Sequence, residues 1–261
     1  MNRYTDLKNR LNAREPVSMS IVMQSLSPFV IDALSASDCI LLDKEHGLYG
    51  TEELLPMTLR CRERGIPSIV RVEDSVYHLI AKAIDLGADG IMLPRTETLE
   101  QLQVAVDAIH FAPIGRTGYG GWGILRQGET FDQFQQGRFL FPQIESPKGL
   151  DNLPAMLDAY GEYIDGVIIG PNDYSIQLGI PRQLDHPLLK EHIQRVFDVC
   201  KARGKSCGCY AADAEHIRLY SQMGANIHWV GDDASYMRTG LQYYLDVVAE
   251  CSEGQAQKAE K

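Results

Sequence analysis

Short apolar runs recur along the chain, and each is followed by a stretch with helical spacing. In order the runs are VSMSIVM, CILLD, PSIVRV, ADGIMLP, RFLFPQIE, IDGVIIG, KSCGCY and IHWVG. They are apolar nearly throughout rather than alternating, the pattern of parallel strands covered on both faces. Periodicity near 3.6 residues predicts helices over Pro28–Ser37, Thr51–Arg64, Ser75–Leu86, Glu97–Ile109, Gly149–Tyr160, His186–Arg203, Asp213–Met223 and Asp233 to about Cys251. Glycine-bearing turns (RGIP, LGADG, RGKS, MGAN) sit where helices should end, since a left-handed residue is wanted there. About eight strand–helix units predict an α/β fold, a single (β/α)8 TIM barrel. The alternative is a doubly wound open sheet. It wants a phosphate fingerprint after its first strand, and MQSLSP is none.

The chain divides into a helical extension over 1–15, a barrel domain over 16–251 and a tail over 252–261. The tail, SEGQAQKAEK, is poor in apolar residues and is expected to be disordered. Two connections are long. APIGRTGYGGWGILRQGETFDQFQQG, with Tyr119 and Trp122, precedes the fifth strand; it reads either as a cover on the bottom face or a subunit contact, or as a lid. GPNDYSIQLGIPRQLD follows the sixth strand.

Composition changes this picture little. The 261 residues match one barrel, and 44% hydrophobic with 23% charged residues is ordinary for a globular protein. A net charge of −10 argues against nucleic-acid or anionic-membrane partners. The six cysteines are scattered and form no disulfide framework or zinc set, so they read as reduced, buried thiols. No secretory h-region and no membrane-length apolar run stands out, and a cytoplasmic location is expected.

In a (β/α)8 barrel, catalysis gathers at the C-terminal ends of the strands. The polar residues at those ends are Asp43, Glu45 and His46, then Arg71, then Arg95, then Gln143 and Glu145, then Asn172 and Asp173. Two carboxylates facing one cavity, Glu145 and Asp173, repel each other unless a cation lies between them. A hard divalent ion with oxygen ligands is the economical solution, and helix caps or arginine pairs are the alternative. The Arg71 fork can grip a carboxylate at two points, or pair with Asp43 or Glu45. His46 follows a strand end beside two acids, and Asp43 or another carboxylate would fix its tautomer for base catalysis.

LLDKEHG, IVR, LGADGIMLP, FPQIES, GVIIGPNDYSIQLG and the late GA turn resemble the HpcH/HpaI aldolase family, in order and with similar spacing from about Pro16 to Leu245. These are class II, metal-dependent pyruvate aldolases of the phosphoenolpyruvate/pyruvate barrel superfamily. The resemblance implies a cytoplasmic hexamer or trimer with the C-terminal helix exchanged between subunits. It implies reversible retro-aldol cleavage of a 4-hydroxy-2-oxo acid, of the 2,4-dihydroxyhept-2-enedioate or 2-dehydro-3-deoxy sugar acid type, to pyruvate and an aldehyde. Glu145 and Asp173 match the metal ligands, with Mg2+ expected and Mn2+ or Co2+ as alternatives. His46 matches the base, Asp43 its partner, and Arg71 the group on the keto-acid end. Gln143, Gly170, Asn172, Asp173 and Ser175 match substrate-binding positions. After the fourth helix, Thr117 stands where the family often carries an arginine, with Arg116 one place before it; Arg95 stands where an apolar residue is frequent. The alternatives are an acyl-CoA lyase related to citrate lyase β subunits, and a metal- and keto-acid-binding barrel without turnover.

Overall fold

The alternation of side chains along each strand decides what fills the barrel. In the computed structural model, which describes residues 3–120 and 124–259 (backbone alone from 252), eight parallel strands close in chain order. They are β1 (Val17–Val22), β2 (Cys39–Asp43), β3 (Ser68–Arg71), β4 (Gly90–Leu93), β5 (Phe139–Ile144), β6 (Gly166–Ile169), β7 (Ser206–Ala211) and β8 (Ile227–Asp232). One set of alternate residues (Met19, Leu41, Ile69, Met92, Phe139, Phe141, Ile168, Trp229) forms a cluster of its own, the lumen. The other set (Ile40, Leu42, Val70, Ile91, Leu140, Val167, Ile169) packs against the surrounding helices. This double burial is why the strands read as unbroken apolar runs.

The lumen holds large rings because neighbouring strands leave room. A Cβ at Gly90 would come within 2.5 Å of Phe139 Cβ, and one at Gly208 within 2.0 Å of the Ile227 carbonyl. The first helix, α1 (Arg3–Asn12), closes the bottom: Leu7 and Leu11 are buried in the luminal cluster.

The helices follow their capping chemistry. α2 (Val30–Ala33) is shorter than the predicted Pro28–Ser37, because the chain turns after Leu34 to reach Asp38. There Asp38 accepts the Ser18 N–H and hydroxyl. α3 (Thr51–Glu63), α4 (Tyr77–Asp85) and α5 (Leu99–Ile109) fall where periodicity placed them. Thr98 and Gln101 cap α5 reciprocally. The long stretch before β5 contains a helix, α6 (Phe131–Gly137), with the same Thr-x-x-Gln box at Thr130 and Gln133. This stretch lies at the bottom of the barrel, where Arg126 pairs with Asp89 and Glu129. Trp122 lies outside the described residues. Arg116 pairs with Asp107 at the end of α5, and the Thr117 N–H donates to the His110 carbonyl there.

α7 (Pro147–Tyr160) starts at a Ser146 cap, and α8 (Pro171–Gln177) begins with Pro in the first turn, inside a stretch read from sequence as loop. α9 (Pro187–Ala202) and α10 (Ala214–Met223) follow. The last helix, α11, spans Asp233–Ala259; residues 260–261 lie outside the described set. Five cysteines are buried and free, and Cys251 is exposed and free. No described helix is long and apolar enough to cross a membrane.

Candidate active site

Parallel pairing sets Asp43 at the end of β2 directly beside Arg71 at the end of β3. Asp43 is fully buried and takes the guanidinium at two points: Arg71 Nε donates to Oδ1 at 2.7 Å and Nη2 to Oδ2 at 2.6 Å. A two-point pair fixes the plane of the fork. Burial works against the Arg71 cation, but the Asp43 bonds outweigh it and its pKa stands above the usual arginine value. The third nitrogen, Nη1, is held loosely, 3.5 Å from Gln143 Oε1 and 3.4 Å from Glu45 Oε2. Its donors are the ones left for a ligand. The Trp229 ring flanks the guanidinium, with its centroid 5.2 Å from Cζ.

Gln143, on β5, and Glu145, just past its end, are two residues apart and so share the luminal side. Gln143 Nε2 donates to Glu145 Oε2 at 2.9 Å, and the Arg95 N–H donates to Glu145 Oε1 at 2.9 Å. A linked row therefore runs Asp43, Arg71, Gln143, Glu145 across the mouth. Arg95 adopts φ 45°, in the left-handed region, which aims its N–H at Glu145. Gly170 lets this row come close: a Cβ there would lie 2.2 Å from Glu145 Oε2 and 2.6 Å from Gln143 Nε2. Gly170 also precedes α8, whose first turn carries Asp173.

These residues surround a cavity of about 240 Å3, lined by Arg71, Gln143, Gly170, Asn172, Asp173 and His46. Ile21, Met23, Pro171, Tyr210, Trp229 and Asp232 complete its wall. A larger space of about 540 Å3 lies at the opposite end of the barrel, between α1 and α6. Its cations are already paired, Arg126 with Asp89 and Glu129, and Lys8 with Asp165, so the chemistry belongs to the smaller one.

The carboxylates set the electrostatics. Burial, with Glu45 and Asp173 nearby, lifts the Glu145 carboxyl to about 7, although the Arg95 N–H and the Arg71 charge pull it down. Burial also raises Glu45, against the pull of Arg71, His46 and Arg95. Four acids, Glu45, Glu145, Asp173 and Asp232, thus share a mouth whose principal buried cation, Arg71, is committed to Asp43. Among the described residues no three His, Cys, Asp or Glu side chains gather as a ready-made metal cage. The pair Glu145 and Asp173 instead fits a hard divalent cation that keeps other oxygen ligands, and such an ion would relieve the penalty on Glu145.

Two expectations are corrected. Asp43, read as the acid that orients the His46 ring, reaches only backbone in that turn: its Oδ1 accepts the Glu45 N–H at 3.0 Å and the His46 N–H at 3.4 Å. Both of its oxygens are taken by Arg71, so it positions the arginine. The acid nearest the ring is Glu45, with Oε2 3.8 Å from His46 Nε2. Ser175 does not reach the cavity. It is a fully buried residue of α8, donating to the Asn172 carbonyl at 2.6 Å and accepting the Arg182 N–H at 2.8 Å. Lys44 is turned away onto Glu73 at 2.7 Å. Sequence reasoning stopped at the sixth strand. Tyr210 on β7 and Trp229 and Asp232 on β8 line the cavity, and the same strand-end rule could have found Tyr210 and Asp232.

Residues 26–239 match the family described as HpcH/HpaI aldolase/citrate lyase. The chain is 32% identical over 226 residues to a 2-keto-3-deoxy-L-rhamnonate aldolase of Salmonella gallinarum, covering 82% of each chain. It is 30% identical over 229 residues to a 5-keto-4-deoxy-D-glucarate aldolase of Salmonella arizonae, covering 84% of this chain and 88% of that one. A solved HpcH/HpaI aldolase/citrate lyase family protein from Burkholderia cenocepacia superposes with a TM-score of 0.84 at 25% identity, over 95% of this chain and all of the other. With the barrel and the strand-end row in place, these matches settle the kinship: the chain belongs to the HpcH/HpaI aldolase/citrate lyase family.

Proposed function

We propose that the chain is a class II aldolase that cleaves a 4-hydroxy-2-oxo acid reversibly to pyruvate and an aldehyde, with a divalent cation, Mg2+ in the first place, at Glu145 and Asp173. The observation that carries this reading is the linked row Asp43–Arg71–Gln143–Glu145 beside Asp173 at one mouth. The substrates named for the two relatives are keto-deoxy sugar acids, so a sugar-acid chain is the substrate class proposed.

Breaking the C3–C4 bond leaves an electron pair on the three-carbon fragment. When bound, the cation supplies a Lewis acid for that fragment. Arg71 adds fixed positive charge where the negative charge develops, and Asp43 keeps the fork from turning away. Gln143 ties the arginine to Glu145, so the two binding elements move as one. The backbone N–H groups of Asn172 and Asp173 hold the substrate carboxylate, since Pro171 has none. His46 is largely exposed at the cavity rim and takes the proton from the 4-hydroxyl, with Glu45 beside its ring.

The reading extends to assembly. From Met237 to Cys251 every residue of α11 is exposed, and these include Leu241, Tyr244, Leu245 and Val248. An apolar helix face of this kind fits a second copy of the chain, in a trimer or hexamer with exchanged α11.

Pyruvate release from 4-hydroxy-2-oxo acids of varied tail length, with Mg2+ and with chelator, tests the function. Release that disappears with chelator and returns with Mg2+ is expected; no release across the panel would refute it.

A further inference from the structure

The register of β1 and β8 breaks at the mouth. Ser20 pairs with Val230, but the next residue, Ile21, pairs with Asp232, so Gly231 is an extra residue in β8. Gly231 has φ 49°, and a Cβ on it would meet Ser235 Oγ and the Tyr236 ring at 2.9 Å. Without the bulge, strict alternation from Ile227 and Trp229 would put Gly231 on the luminal side and Asp232 on the outer side. The bulge reverses this, as bulges beside active sites do. Asp232 lines the cavity. One of its oxygens, Oδ1, accepts the Ser235 N–H at 2.8 Å, which fixes the carboxylate in place.

The proposed reaction divides the cavity. Arg71, Gln143, Asp173 and the Gly170–Asn172 backbone belong to the keto acid. What remains for the aldehyde is Met23, Tyr210, Trp229, Asp232 and His46. That half holds a carboxylate and no lysine or arginine. Two cations stand outside the rim: Arg95, engaged by the Glu73 carbonyl at 2.8 Å and 3.5 Å from Glu45, and the exposed Arg238, on the side of Tyr210. An aldehyde that carries its own carboxylate would bring like charge against Asp232, and like charges in a confined site repel strongly.

We propose that Asp232, turned into the cavity by the Gly231 bulge, is a specificity-determining residue that selects neutral, hydroxyl-bearing aldehydes against anionic ones. Its free carboxylate oxygen accepts a hydrogen bond from a hydroxyl of the aldehyde fragment. This deepens the aldolase reading and rests on it.

The test is a competition in the synthetic direction, with pyruvate and Mg2+ and either glycolaldehyde or glyoxylate. The ratio of kcat/KM for glyoxylate to that for glycolaldehyde is taken within each protein, so loss of folded chain cancels, as does the intrinsic reactivity of the aldehydes between variants. Asp232→Asn keeps an oxygen for the Ser235 N–H. It is expected to raise the ratio about tenfold, and Asp232→Ser likewise. A ratio unchanged within twofold in both variants would overturn the proposal. Exchange of the pyruvate methyl protons with D2O, measured on the unaltered protein without aldehyde, separates the two claims. If exchange occurs and the ratio does not move, the Asp232 assignment alone fails. If no exchange occurs, the aldolase reading fails and the assignment with it.

Discussion

Arg71 has little freedom for a side chain that faces substrate. Its fork is fixed by Asp43 at two points and its free edge is tethered to Gln143. Arg71→Lys keeps the charge but loses the fork. It is expected to lower kcat for pyruvate release by about 10²–10³ while Mn2+ affinity stays within threefold. Asp43→Asn should lower kcat too, since it frees the arginine to swing; normal turnover in this variant would show that the pair is structural only. A second residue-scale expectation concerns stability. His110 is buried at the end of α5, and burial, with Lys8 and Arg138 nearby, pushes its pKa down to about 4. Its Nδ1 lacks a partner. The unfolded chain takes up this proton near pH 6.5 and the folded chain does not. The contribution is therefore complete above about pH 6.5 and is lost as pH falls toward 4, by up to about 3 kcal/mol. Urea melts of the unaltered protein and His110→Phe at pH 7.5 and 5 should show a smaller acid loss in the variant. Equal losses would place the acid sensitivity elsewhere. At this scale the sequence was readable where a strand end points a side chain at the mouth, as at Arg71 and Gln143, which line the cavity. Asp43 was read both as a partner of Arg71 and as the orienter of His46; the structure shows the first, and sequence alone does not say which neighbour the pleat sets beside it. The strand-end rule, carried to the eighth strand, marks Asp232 as a candidate, but its face could not be read because the extra residue Gly231 reverses it.

The elements divide by whether their signal is periodic. The eight strands and most of the helices were legible because double burial leaves continuous apolar runs and helices leave a 3.6-residue stripe. α6 and α8, seven residues each, carry too few turns to show a period, and only their caps mark them: Thr130 with Gln133, and Pro171. The role of α1 was also hidden. Two leucines on a polar helix read as an appendage, yet Leu7 and Leu11 fill the bottom of the lumen. Leu11→Ala should destabilise the fold by about 2–5 kcal/mol in urea melts, with KM for substrate unchanged; a loss under about 1 kcal/mol would mean the plug is dispensable. α11 makes the opposite case. Its stretch from Met237 to Cys251 lies exposed on its own barrel. Sedimentation of the full chain should give an oligomer, and removal of residues 237–261 should give a monomer. A full chain that sediments as a monomer would refute the exchanged-helix assembly.

At the scale of the whole molecule, the barrel is what makes distant segments one site. Asp43 and Glu145 are far apart in the chain, yet they are joined through Arg71 and Gln143 because β2, β3 and β5 end at the same rim. Asp43 holds Arg71, Glu45 stands beside His46, and Glu145 and Asp173 are the pair proposed to face a cation. That last pairing is the point on which the proposed chemistry turns, and Mn2+ titration with oxalate as the enolate-shaped ligand reads it directly. The unaltered protein should bind one Mn2+ per chain and bind oxalate only when Mn2+ is present. Glu145→Gln and Asp173→Asn, folded by circular dichroism, should lose Mn2+ affinity at least a hundredfold and oxalate binding with it. Unchanged Mn2+ and oxalate binding in either variant would remove the cation from this mouth and the aldolase mechanism along with it.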